Sequence, residues 1–126
     1  MKEEKYLKLS GVQAYVLSYS LSNYIWKIVV SWKYFEKNTM GNQLVRSIDS
    51  ISANIAEGFG RYTKKDKIKF YRYSFGSTME SLDWIQKCKS RSLITNDEYD
   101  YIIKKLKNLP KEVNHLISYT NFKLKL

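Results

Sequence analysis

The chain is poor in the residues that punctuate and cross-link a fold. Of its 126 residues, one is cysteine, one is proline, one is histidine and five are glycine. A lone Cys88 excludes an intramolecular disulfide framework and fits a reducing compartment. So little proline and glycine disfavours a turn-rich β fold and permits long helices. One histidine, His115, cannot assemble a convincing Ser/His/Asp or Cys/His centre. Acid is scarce as well, with 12 Asp and Glu against 22 Lys and Arg for a net charge of +10. The opening MKEEKYLKLS is charged and carries no apolar run of the secretory kind, so the expected location is cytoplasmic.

What the chain does have is apolar surface in helical register. Its length predicts one domain over 1–126, with 1–9 and 121–126 as loose ends. Gly11 to Lys37 reads as a first helix that is apolar almost all round. Ser18, Ser20, Ser22, Asn23 and Lys27 interrupt it, whereas a membrane span wants about twenty predominantly apolar residues. One face then belongs to the core and the other, with Tyr24 and Trp26, to a second subunit.

After an expected turn at Asn38–Gly41, a second helix carries Leu44, Ile48, Ile51, Ile55 and Phe59 at steps of three and four. Gly58 and Gly60 are expected to stop it in the left-handed cap conformation. Thr63 opens a third helix to about Lys89, with Ile68, Tyr71, Phe75, Met79, Leu82 and Gln86 toward the core. Its opposite face carries Phe70, Tyr73, Ser77 and Trp84, and three aromatics there predict an oligomer contact. Thr95-x-x-Glu98 caps a fourth helix with Tyr99, Ile102, Ile103, Leu106, Val113, Leu116 and Ile117 at core spacing, and Pro110 should bend or interrupt it. Four helices with short connections give an all-α, antiparallel up-down-up-down four-helix bundle.

Two constellations carry possible chemistry. Residues 61–91 hold nine Lys or Arg against three Asp or Glu, a local charge of +6. Within them Arg61, Lys64, Lys65, Lys67, Lys69 and Arg72 cluster with Tyr62, Phe70, Tyr71 and Tyr73. Cations neutralise phosphates and aromatics stack on unpaired bases, so this stripe predicts nucleic-acid binding. The alternative is a solvated face whose aromatics belong to the core. Glu112-x-x-His115 has the form of a di-iron ligand pair, but one histidine cannot complete such a site within a subunit. No metal, cofactor or catalytic residue is expected, and the chain reads as non-enzymatic.

Asp49 to Arg61, DSISANIAEGFGR, is the most distinctive stretch. Asp49, Ser50, Asn54, Glu57, Gly58 and Gly60 resemble the signature of the 23S rRNA intervening-sequence proteins. The similarity extends to Trp32 and Phe35, to Gly41-Asn42-Gln43-Leu44, to Tyr62, Asp66 and Phe70, and to Gly76-Ser77 with Glu80. It departs at Ser52, where many members carry proline, and at Phe75, where arginine is frequent. The resemblance implies a four-helix bundle closed into a homo-oligomeric ring, a homopentamer, and RNA rather than DNA as ligand. The family is related to the accessory variability protein of diversity-generating retroelements, which makes an adaptor for a reverse transcriptase the alternative function. A glutamate–arginine pair among Arg46, Glu57, Arg72 and Glu80 is expected to bridge the second and third helices.

Overall fold

A computed structural model of the chain describes residues 8–124, so residues 1–7 and 125–126 of the expected loose ends lie outside it. Four long helices account for most of the chain: α1 (Gln13–Val29), α2 (Asn42–Gly60), α3 (Lys64–Ser90) and α4 (Asn96–Lys123). Each packs on two others, α1 on α2 and α4, and α3 on α2 and α4, which closes a square antiparallel bundle. No strand occurs among the described residues. Leu21 and Ile25 of α1, Leu44, Ile48, Ile51 and Ile55 of α2, and Ile102, Leu106, Leu109 and Val113 of α4 are almost completely buried. Each such side chain contributes about 1.5–3 kcal/mol of burial.

Capping sets the helix starts. Thr63 Oγ1 accepts from Asp66 N at 3.2 Å. At α4 the box is reciprocal: Thr95 Oγ1 accepts from Glu98 N at 3.0 Å, and Thr95 N donates to Glu98 Oε1 at 2.9 Å. The helix then runs through Pro110 without interruption and continues to Lys123, past the fraying expected from residue 121. Leu106, Leu109 and Val113 are fully buried on either side of the proline, and that packing offsets the one backbone bond lost.

The entry to α2 departs from the expected long first helix and turn. α1 stops at Val29, where Ser31 N and Trp32 N bond back only three residues, to Ile28 O and Val29 O. The expected turn at Asn38–Gly41 is instead helical. A short turn at Tyr34–Glu36 leads into a π-helix over Lys37–Gly41 that merges with α2. A π-helix shifts backbone donors off their usual carbonyls, and side-chain donors bond back to carbonyls through this stretch. Asn38 Nδ2 donates to Tyr34 O (3.0 Å), Thr39 Oγ1 to Phe35 O (2.7 Å) and Asn42 Nδ2 to Asn38 O (3.0 Å).

Helices α2 and α3 meet along a seam of small residues. Ser50 Oγ donates to Ser77 Oγ at 2.6 Å and Ser81 Oγ to Ser47 Oγ at 3.1 Å. The fully buried face of α3 is Tyr71, Ser74, Thr78, Ser81, Ile85 and Cys88. Of the row expected from hydrophobicity, Tyr71 lies on that face, Ile68, Phe75 and Leu82 pack half-buried beside it, and Met79 (61% exposed) and Gln86 turn to solvent. Ser74 and Thr78 satisfy their hydroxyls on Tyr71 O and Ser74 O of their own helix, so burying them leaves nothing unpaired. No glutamate–arginine pair bridges these helices among the described residues. Glu57 pairs with Arg61 four residues on, at 2.9 Å, and Glu80 accepts from Trp84 Nε1 at 3.2 Å.

The left-handed cap also falls elsewhere than expected. No described glycine has a positive φ, and α2 simply ends after Gly60 with Arg61 extended. Ser92, at φ 60°, takes that conformation after α3. Leu93 N bonds to Cys88 O and Ser92 N to Lys89 O, which is the Schellman pattern with serine in the glycine position. Gly58 has a different task. A Cβ there would lie 2.7 Å from Tyr71 Cε1 and 2.8 Å from Lys67 O, so its absence permits the crossing.

Three outcomes follow for stability. Gly58→Ala should cost about 1–3 kcal/mol through overpacking in chemical denaturation, whereas Gly76→Ala, with open space around it, should gain up to about 1 kcal/mol. Ser92→Gly should stabilise by about 0.5–1 kcal/mol, the left-handed strain relieved less the added unfolded-state freedom. Burial pushes Cys88 up to about 11, with Arg91 pulling the other way, and Tyr71 up to about 12, opposed by its hydrogen bond with Thr120. Both groups are raised in the folded state, so their contribution is fully present below about pH 9 and is lost as pH climbs toward 12. Unfolding midpoints should fall across that window, and less steeply in Cys88→Ala.

Candidate nucleic-acid interface

The basic residues around the α2–α3 turn divide by what they touch. Lys67 is half-buried, and its Nζ donates to Phe59 O at 2.7 Å, satisfying a carbonyl at the end of α2. Burial lowers its pKa from the usual lysine value. Lys64 Nζ donates to Asn121 O at 3.0 Å and so ties the start of α3 to the end of α4. These two cations hold the hairpin and the bundle end together.

Lys65, Lys69 and Arg72 remain. They recur at i, i+4 and i+7, share one exposed face of α3, and form no ion pair with a described residue. Arg61 adjoins them: its Nε holds Glu57 at 2.9 Å, while its guanidinium carbon lies 4.5 Å from the centre of the Phe70 ring. Phe70 in turn meets Tyr73 edge-on at 5.3 Å, and Lys69 Nζ lies 5.9 Å and 6.0 Å from the two rings. Tyr73 is 48% exposed and Tyr62 more so. The turn therefore presents positive charge and aromatic surface together, to solvent. Tyr71 alone among the interleaved aromatics is wholly buried.

The residues expected at a subunit contact also occupy several settings. Tyr24 packs within the chain, its ring 4.4 Å from that of Tyr101 on α4, and its pKa is raised by burial and then by Glu98, Tyr101 and Asp97. Trp26 is 56% exposed, and with Val16, Tyr19 and Val30 it forms an uncovered apolar stripe along α1. Sequence reasoning counted the other three among the apolar residues of this helix without singling them out for the contact, although their spacing of three, seven and four residues places them on one helical face. Phe70 and Tyr73 belong to the cation–aromatic cluster. Trp84 is half-buried, with Lys87 Nζ 4.5 Å from its ring.

The polar signature residues are locally satisfied. Asp49 is exposed, and its backbone carbonyl accepts from Ser52 Oγ at 3.3 Å. Asn54 Nδ2 donates to Ser50 O at 2.9 Å, and Gly60 and Gly76 are open to solvent. No three His, Cys, Asp or Glu side chains among the described residues come together as a metal site. His115 Nδ1 lies 3.7 Å from Glu112 Oε1 on an exposed turn. No described helix is long and apolar enough to cross a membrane.

Comparison with known proteins places this arrangement in a family. No curated protein matches the sequence. A solved structure is similar: a protein of unknown function from the S23 ribosomal protein family of Bacteroides thetaiotaomicron, 22% identical, with a TM-score of 0.73. The match covers 82% of this chain and 97% of that one, and at this identity it speaks for the fold alone. The family model of the 23S rRNA-intervening sequence protein matches residues 11–115, nearly the whole bundle. The chain belongs to the 23S rRNA-intervening sequence protein family.

Proposed function

We propose that the chain is a non-enzymatic nucleic-acid-binding protein, an accessory or scaffold that works as a basic homo-oligomer and takes RNA in preference to DNA. The observation that carries this reading is the exposed row Lys65, Lys69 and Arg72, which forms no described ion pair and is flanked by Tyr62 and Tyr73. Cations so placed neutralise phosphates and release condensed counterions, a grip that is indifferent to sequence. The flanking rings offer stacking surfaces to unpaired bases. The family's name, drawn from sequences inserted in 23S rRNA, supports RNA as the ligand.

Self-association is part of the same proposal. Val16, Tyr19, Trp26 and Val30 form an apolar stripe that a second copy would cover. A closed pentameric ring in the cytoplasm would repeat the basic row around its rim, and several weak phosphate contacts would then add by avidity. The second reading is a protein-binding adaptor, for a reverse transcriptase for example, in the manner of the retroelement accessory proteins. The observation favouring it is that same α1 stripe, whose chemistry suits a protein surface better than a phosphate backbone.

Salt dependence separates the two. RNA affinity should fall linearly on a log–log plot as salt rises, and Lys65→Ala/Lys69→Ala/Arg72→Ala should reduce that slope by about 2–3. Fluorescence anisotropy with labelled RNA reads both. An unchanged slope in the triple variant would remove the basic row from the interface, and no binding even at low salt would favour the adaptor.

A further inference from the structure

A groove of about 920 Å³ lies at the other end of α3, between the entry to α2 and the loop that follows α3. Phe35, Met40, Gln43 and Arg46 line one side, and Trp84 and Arg91 the other. Phe35 is 73% exposed, an unusual position for a phenyl ring that no described residue covers. Glu36 is the one carboxylate among the lining residues, and it pairs with neither arginine. Arg91 Nη1 rests 2.7 Å from Met40 Sδ, a weak acceptor that leaves its charge uncompensated. Two irregular stretches of backbone converge here as well: the π-helix over Lys37–Gly41 and the left-handed Ser92, both kinds of feature that concentrate at functional sites.

We propose that this groove seats an unstacked nucleotide of single-stranded nucleic acid. Phe35 and Trp84 supply faces for a base, Arg46 and Arg91 supply cations for the adjoining phosphates, and the Gln43 amide offers both a donor and an acceptor to a base edge. Surplus positive charge beside flat aromatic surface matches a nucleotide better than an uncharged peptide. The volume falls in the range of small-ligand sites. The proposal rests on the nucleic-acid reading and sharpens it. The basic row grips backbone of any form, whereas a duplex cannot place a base in the groove, so the groove selects for single strands. Arg72 and Trp84 are twelve residues apart on one helix, about 18 Å by its rise, a span that a short single strand crosses.

The test uses the full chain with a short oligouridylate and with duplex RNA of equal length, at one low salt concentration. Arg46→Ala/Arg91→Ala should weaken oligouridylate binding by at least about fivefold, through the loss of two phosphate contacts, and leave duplex binding unchanged. Both arginines are exposed, so the fold is not at risk. Oligouridylate should also quench tryptophan emission in the wild type, and Trp84→Phe should remove most of that quenching. An equal loss on both ligands, or none on oligouridylate, overturns the groove while leaving the basic row in place. A fall in particle mass in the arginine double variant also overturns it, by showing the groove to be a contact between copies. Wild-type protein that binds neither RNA defeats the nucleic-acid reading and the groove together.

Discussion

Helices α2 and α3 approach each other through serines and a glycine rather than through large apolar side chains. Ser47 meets Ser81, Ser50 meets Ser77, and Gly58 lies under the Tyr71 ring. Small residues let two helix backbones close in, and among the described residues no buried side-chain polar atom is left without a partner. The rest of the molecule is arranged around that crossing. It fixes the rotation of α3, and this rotation turns Lys65, Lys69 and Arg72 outward and sets Trp84 over the groove. Lys67 reinforces the crossing at the hairpin end by closing on Phe59 O.

The parts legible in the sequence were those governed by large apolar side chains and by caps. The α2 stripe Leu44, Ile48, Ile51 and Ile55, the α4 core and the Thr63 and Thr95 starts all stand where periodicity and capping chemistry put them. The α3 side of the seam was not legible, because a hydrophobic pattern treats serine and threonine as surface residues. On α3 that error rotated the expected core face and counted the exposed Met79 as buried. The glycines misled in a related way. Gly58 serves close approach rather than a left-handed cap, and the cap fell to Ser92, a residue that propensity does not favour there. At the basic cluster, composition found the cations but could not tell Lys64 and Lys67, engaged with carbonyls, from the three that face solvent. The groove draws on residues far apart in the chain, and no local pattern joins Phe35 to Arg91.

Taken together, the surface separates into three chemistries. The α2–α3 turn is cationic and aromatic, the outer face of α1 is apolar, and the far end of α3 carries a groove with two unpaired arginines. A single bundle has few means of holding a flexible polyanion, since each exposed cation contributes little on its own and salt screens it. Repetition changes that balance. If the α1 stripe joins copies, each basic row becomes one of several on a common body, and the effective concentration of the second contact is set by the geometry of the assembly.

The account therefore turns on the mass of the particle. Sedimentation equilibrium in dilute solution should give a multiple of the 15.0 kDa chain, five copies for the ring proposed here, with fewer copies or dissociation when Trp26 is replaced by aspartate. A folded, stable particle of 15.0 kDa would contradict it, because Val16, Tyr19, Trp26 and Val30 would then stand in water with no described residue to cover them.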